Sequence, residues 1–141
     1  MKPSGARAAG CVLDTDVVIA ALDRSDGHHE AAARAMRTWV DHEVPLLLSL
    51  INYAETLVRP AEDRRQLRAA TTALEALGIR LIAPTAVIAR DAARLRGLGI
   101  SLADGFALAT ARAERACVAS FDRRVRRALR HEGIDLAPAL R

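Results

Sequence analysis

Four acidic residues, Asp14, Glu55, Asp104 and Asp122, each stand at the start of a segment that follows, or closely follows, a short apolar run. Surface acids have no reason to track the ends of buried strands. In an open α/β sheet ligands gather outside the carboxyl ends of the strands, so acids set there converge in space. Two carboxylates about 4 Å apart repel by roughly 4 kcal/mol at an effective dielectric of about 20. Several together stay ionised only with a cation among them. Oxygen ligands without His or Cys nearby suit Mg²⁺ or Mn²⁺ rather than zinc. Such an ion keeps several waters, and one of them, made more acidic by the metal, can attack a phosphodiester. The ion also offsets charge building on the transition state. The pattern therefore predicts metal-dependent phosphodiester hydrolysis.

Each acid also has a plainer reading. Asp14 and Asp122 can serve as acids at helix N-termini, favoured by the helix dipole. Asp104 stands three residues after Ser101, the spacing of a capping box. Glu55 lies inside a helix among Tyr53, Ala54, Leu57 and Val58, where capping does not explain it but a solvated face would. The joint pattern separates the two readings; no single acid does.

The elements that must position these residues alternate. Gly10 to Leu13 reads as a buried strand and Asp14 to Leu22 as a short helix. Asp23 to Gly27 reads as a turn and His28 to His42 as an amphipathic helix with Ala32, Ala35, Met36 and Trp39 on one face. Leu46 to Leu48 is a second strand, and Ser49 caps a helix that carries Asn52, Glu55 and Val58 and ends near Pro60. Glu62 to Leu77 is the clearest helix, stopped by Gly78. Ile79 to Ala83 is a strand, Pro84 or Thr85 to Arg96 a helix, and Leu102 to Glu114 another. Cys117 to Ala119, Asp122 to Arg130 and Ile134 to Leu136 complete the reading as strand, helix and a possible fifth strand. This alternation predicts an α/β fold of three layers, α/β/α, with a central parallel sheet of four to five short strands.

The chain has 141 residues and a formal net charge of +4, with half of its residues apolar. That fits one domain over residues 1–141 with a sizeable core. Residues 1–9 read as a flexible lead-in without the apolar stretch of a signal peptide. No apolar run suggests a membrane span, so the expected location is cytoplasmic. Lys2 is the only lysine among 21 Lys and Arg residues, so no lysine lies within the predicted fold. Cys11 and Cys117 read as small buried hydrophobes. His28 and His29 read as an exposed cap region or as auxiliary ligands. Arg123, Arg124, Arg126, Arg127 and Arg130 crowd the helix after Asp122 and read either as a solvated face or as phosphate contacts for RNA. Trp39, Tyr53, Phe106 and Phe121 are the only aromatics, too few to expect base stacking as the main route to an RNA substrate.

Four blocks of the chain resemble, in order, those of the PIN-domain nucleases, and among them the VapC-type toxins of toxin–antitoxin pairs. They are Val12-Leu13-Asp14-Thr15-Asp16-Val17-Val18-Ile19, Asn52-Tyr53-Ala54-Glu55, Leu102-Ala103-Asp104-Gly105-Phe106-Ala107-Leu108-Ala109-Thr110-Ala111 and Ser120-Phe121-Asp122-Arg123-Arg124-Val125. The resemblance implies a Mg²⁺- or Mn²⁺-dependent endoribonuclease. Asp14 and Asp104 would be the closest metal ligands. Glu55 and Asp122 would act through water, a second ion or the attacking water, and Thr15 and Ser120 would be supporting hydroxyls. It implies a homodimer, a VapB-type antitoxin partner that inserts a segment near the acids, and tRNA or rRNA as substrate. Three residues depart from the family pattern. Asp16 stands where Asn is frequent and could add a carboxylate or face solvent. Gly105 stands where Ala is common, which would loosen that turn. Ser120 replaces a frequent Thr and keeps the hydroxyl.

Two other classes compete. Asp14-x-Asp16 after a strand also resembles the opening of Asp-nucleophile phosphatases, and a response-regulator receiver domain is a related case. That chemistry normally needs a lysine from later in the chain, which is missing here. A PIN-like binding partner with weak catalysis is the other; with all four acids present, the expectation is an active enzyme.

Overall fold

Short strands without polar alternation need cover on both faces. In a computed structural model, which describes residues 9–141, β1 (Cys11–Leu13), β2 (Leu46–Ser49), β3 (Arg80–Ile82) and β4 (Cys117–Ala119) form one parallel sheet in the order β3-β2-β1-β4. The lead-in expected over residues 1–9 lies, apart from Ala9, outside the described residues. β1 and β2 are wholly buried, whereas the edge strand β3 exposes Arg80 and Leu81. A fifth strand is reduced to one parallel bridge between Leu136 and Val118, beside β4.

Among the described residues, seven helices cover the sheet: α1 (Thr15–Leu22), α2 (His29–Asp41), α3 (Leu50–Thr56), α4 (Arg64–Ala76), α5 (Ala86–Leu95), α6 (Leu102–Glu114) and α7 (Arg123–Glu132). The two-residue period of a strand sends alternate side chains to opposite faces. Val12, Leu47 and Val118 pack with Ile88, Leu95, Leu108 and Leu129 of α5, α6 and α7. Cys11, Leu13, Leu46, Leu48 and Ala119 pack on the other face with Val17, Val18, Met36, Trp39 and Leu74 of α1, α2 and α4. The result is the three-layer α/β/α arrangement the alternation predicts. Among the described residues no helix is long and apolar enough to cross a membrane.

α3 is shorter than its sequence suggests. It ends at Thr56 rather than near Pro60: the Leu57 amide still bonds the Tyr53 carbonyl, but the Val58 amide turns to Glu55 in a tighter i→i−3 contact. Pro60 instead opens a 3₁₀ turn, Pro60–Glu62, and Asp63, not Glu62, leads α4 by accepting from the Arg65 amide.

α5 and α6 pack closely at Gly105. A Cβ built there would stand 2.7 Å from the Ala92 carbonyl oxygen. The missing side chain at Gly105 is what lets the two helices approach. α5, α6 and α7 are further tied by a closed ring of charges. Arg94 and Arg112 each pair with both Asp91 and Glu132.

Candidate active site

β1 sits between β2 and β4. The chain therefore runs outward from β1 through β2 to β3, then returns to place β4 on the other side. The seam between β1 and β4 is the point where strand order reverses, and the crevice outside the carboxyl ends of such strands is where open α/β sheets bind ligands. Leu13 and Ala119 are paired in register, so the next residues, Asp14 and Ser120, face one another across this seam.

Asp14 is 2 % exposed. One carboxylate oxygen accepts from the Thr15 amide at 2.9 Å and caps α1; the other accepts the Ser120 hydroxyl at 2.8 Å. The Ser120 oxygen in turn accepts from the Asp122 amide at 3.1 Å. Burial pushes the Asp14 carboxyl well above the usual carboxylate range, and the charges of Asp16 and Asp104 push it further. A buried acid raised by its own neighbours is an electrostatic conflict that a cation relieves.

Asp16 answers the question its sequence leaves open. It is half-buried, and one oxygen accepts the Phe121 amide at 2.9 Å. The other is buried with no hydrogen-bond partner among the described residues. Burial raises its pKa, and the charges of Asp122 and Asp104 raise it as well. Asp16 thus joins the acidic group rather than facing solvent.

Asp104 and Asp122 are shared between helix starts and this group. Asp104 accepts from the Ser101 amide at 3.0 Å while its own amide donates to the Ser101 hydroxyl at 3.1 Å, a full capping box for α6. Asp122 caps α7 by accepting the Arg124 amide at 2.7 Å and the Val125 amide at 3.2 Å through one oxygen, Oδ1. The capping reading of these acids is therefore right, and it does not remove them from the acidic group.

Glu55 stands apart. It is exposed on α3 and is not among the charges that perturb Asp14 or Asp16 most. Among the described residues, no three Asp, Glu, His or Cys side chains are arranged as a ready cage for one ion. The site is an acidic surround with buried, under-partnered oxygens on Asp16 and Asn52.

Asn52, read in the sequence only as part of a block, proves to be a clamp. Fully buried, it donates to the Thr15 hydroxyl at 3.0 Å and to the Ala103 carbonyl at 3.2 Å, and its own carbonyl oxygen is left unpartnered. It ties α3 to the residues beside Asp14 and Asp104. A lone Asn within a helix of otherwise mixed polarity carries no sequence signal for this.

The basic helix divides. Arg123, Arg124, Arg127 and Arg130 are exposed along α7, beginning next to Asp122. Arg126, grouped with them by sequence as an RNA contact, is turned inward: it donates to the Ser120 carbonyl at 2.9 Å and to the Leu140 carbonyl at 3.3 Å. Its guanidinium is committed to the backbone beside the site. His28 stacks on Phe121, with ring centres 4.3 Å apart and planes 8° from parallel, and His29 donates from Nδ1 to the Ala20 carbonyl at 2.7 Å. Neither joins a metal-ligand group.

A family model for the PIN domain matches residues 11–130, which takes in the sheet and the acids of the site. The chain belongs to the PIN-domain family. Among solved structures it is similar to VapBC2 from Rickettsia felis bound to a DNA fragment of its promoter, with a TM-score of 0.71 and 16% identity over 90% of this chain and 96% of that one. It is also similar to VapC20 of Mycobacterium tuberculosis, a sarcin–ricin-loop-cleaving toxin, with a TM-score of 0.69 and 19% identity over 84% of this chain and 95% of that one. FitAcB from Neisseria gonorrhoeae gives a TM-score of 0.65 and 23% identity over 92% of this chain and 97% of that one. At these identities the likeness is one of fold. A search of curated proteins returned no match.

Proposed function

We propose that this protein is a metal-dependent endoribonuclease of the VapC type, the toxin of a toxin–antitoxin pair acting in the cytoplasm. The observation that carries the reading is Asp14: buried at the β1–β4 switch point and pushed out of its ordinary range by burial and by Asp16 and Asp104. PIN-domain nucleases are hydrolases that act on nucleic acids and generally use divalent metal ions, and this donor set is all oxygen. Asp14 and Asp104 would hold Mg²⁺ or Mn²⁺ most directly, with Asp16, Asp122 and Glu55 as further oxygen donors. The bound ion supplies positive charge against the phosphodiester and a water of lowered pKa. Ser120 and Thr15 orient the Asp14 carboxylate, and the exposed arginines of α7 hold RNA phosphates beside it.

The toxin reading is supported by structural neighbours that are toxins or toxin–antitoxin complexes. It brings with it a VapB-type antitoxin, a homodimer and a translation-related RNA such as tRNA or rRNA as substrate. Leu50, Ile51 and Val58 are exposed on and just after α3, as a subunit contact would need. The test is cleavage of total RNA by the purified protein with Mg²⁺ or Mn²⁺, with chelator, and with Asp14→Asn. Products should carry 5′-phosphate and 3′-hydroxyl ends, and both chelator and the variant should abolish them. Cleavage that survives either one would refute the proposal. An Asp14→Asn protein that still binds its antitoxin would show that cutting and docking are separate.

A further inference from the structure

We propose that Cys11 and Cys117 are a modification site, joined in a reversible intramolecular disulfide when the protein meets a hydroperoxide. They are the two cysteines of the chain. They come from residues over a hundred apart in sequence and are direct partners in the parallel β1–β4 ladder. Adjacent strands lie about 4.8 Å apart, within the Cα separation of roughly 4.4–6.8 Å that a disulfide requires. Residues paired in register project to the same face, and both cysteines belong to the same core cluster as Leu13 and Ala119.

Their environments differ in the way such a pair needs. Cys11 is fully buried, and oxidants do not reach it directly. Cys117 is partly exposed and borders a cavity of about 340 Å³ whose walls include Arg112 and Arg115. Each thiol donates to a backbone carbonyl, Cys11 to that of Val12 and Cys117 to that of Gly10, and the proximity of the two sulfurs raises the pKa of Cys11 and lowers that of Cys117. The thiolate is the reactive form of cysteine, so Cys117 attacks first and Cys11 resolves.

The chemistry balances. The Cys117 thiolate attacks the distal peroxide oxygen; an S–O bond forms and the O–O bond breaks. Sulfur gives up two electrons, and the departing alkoxide takes a proton to leave as an alcohol, or as water from hydrogen peroxide. The Cys11 sulfur then attacks the Cys117 sulfenic sulfur; the S–S bond forms, the S–O bond breaks, and hydroxide leaves as water with the Cys11 proton. Small thiols reverse the bond by exchange, as expected of a transient disulfide in a reducing compartment. The bond would pin β1 to β4 three residues before Asp14 on one strand and three before Ser120 on the other.

The test treats the native full-length protein with hydrogen peroxide, alkylates free thiols, and reads the mass of the intact chain and its peptides. The expected result is a chain lighter by two hydrogen atoms, a peptide pair joining Cys11 to Cys117, and full reversal by dithiothreitol. Cys11→Ala should leave Cys117 as a sulfenic acid trapped by dimedone, and Cys117→Ala should leave Cys11 unoxidised. Thiols that stay free until the protein unfolds, a link between two chains, or over-oxidised Cys117 beside free Cys11 would each overturn the proposal. The readout is mass, so it is independent of nuclease activity.

Discussion

The Ser120 hydroxyl donates to Asp14 at 2.8 Å and accepts from the Asp122 amide at 3.1 Å, so one oxygen fixes the positions of two acids across the β1–β4 seam. Ser120→Ala should lower stability by about 1–3 kcal/mol in urea titration, since a buried carboxylate loses a donor. It should slow RNA cleavage by about 10- to 100-fold through misplacement of Asp14. Ser120→Thr, which keeps the hydroxyl, should retain both properties.

Divalent cations should stabilise the fold. At a concentration about 100 times the dissociation constant, Mn²⁺ or Mg²⁺ should add about 2.7 kcal/mol by mass action. The thermal midpoint of the wild type should rise on adding the ion, and that of Asp14→Asn or Asp104→Asn should rise less or not at all. Equal rises in all three proteins would place the ion elsewhere.

Gly105→Ala sets two effects against each other. Alanine is favoured over glycine in a helix by up to about 1 kcal/mol. Its Cβ would stand 2.7 Å from the Ala92 carbonyl oxygen, a backbone atom that cannot swing away. Overpacking of this kind costs about 1–3 kcal/mol. The clash should win, and chemical denaturation should show a net loss of stability.

Glu132 predicts the acid limb of the stability curve. Arg94, then His131 and Arg112, hold its carboxyl down to about 2 from an ordinary 4.5. A depressed carboxylate contributes stability that is complete above its unfolded pKa and is lost as pH falls through the folded one. The Glu132 contribution should therefore disappear between about 4.5 and about 2. Glu132→Gln should be less stable than wild type at neutral pH, and the gap should close across that window when melting is followed against pH.

The arginines of α7 should separate by function. Neutralising Arg124 and Arg127 should reduce the steepness with which RNA binding weakens as salt rises, by about one unit of log–log slope for each phosphate that no longer meets a cation. Arg126→Gln should leave that slope unchanged and lower stability instead, because Arg126 holds the Ser120 and Leu140 carbonyls.

What the sequence reveals and hides follows from range. The strands are legible because each is a short apolar run ended by a helix cap or a turn, and α6 because Ser101 and Asp104 announce it. Asp14 and Asp122 are legible because they stand just past the ends of β1 and β4, and Asp104 through its capping box with Ser101. Asp16, Asn52 and Arg126 are not, because their roles depend on which face of a helix meets which neighbour. Arg126 looks in sequence like Arg124 and Arg127, and it is the carbonyls of Ser120 and Leu140 that hold it inward. Glu55 shows the converse: its position in the ordered blocks is clear, yet its helix leaves it exposed at the margin of the other acids.

Asp14 and Asp122 open helices as well as lining the crevice. Asparagine opens a helix about as well as aspartate does. A single-nucleotide change from one to the other would therefore delete a charge while sparing the architecture. An inherited copy could lose part of its acidic group in one mutational step and still be a folded molecule.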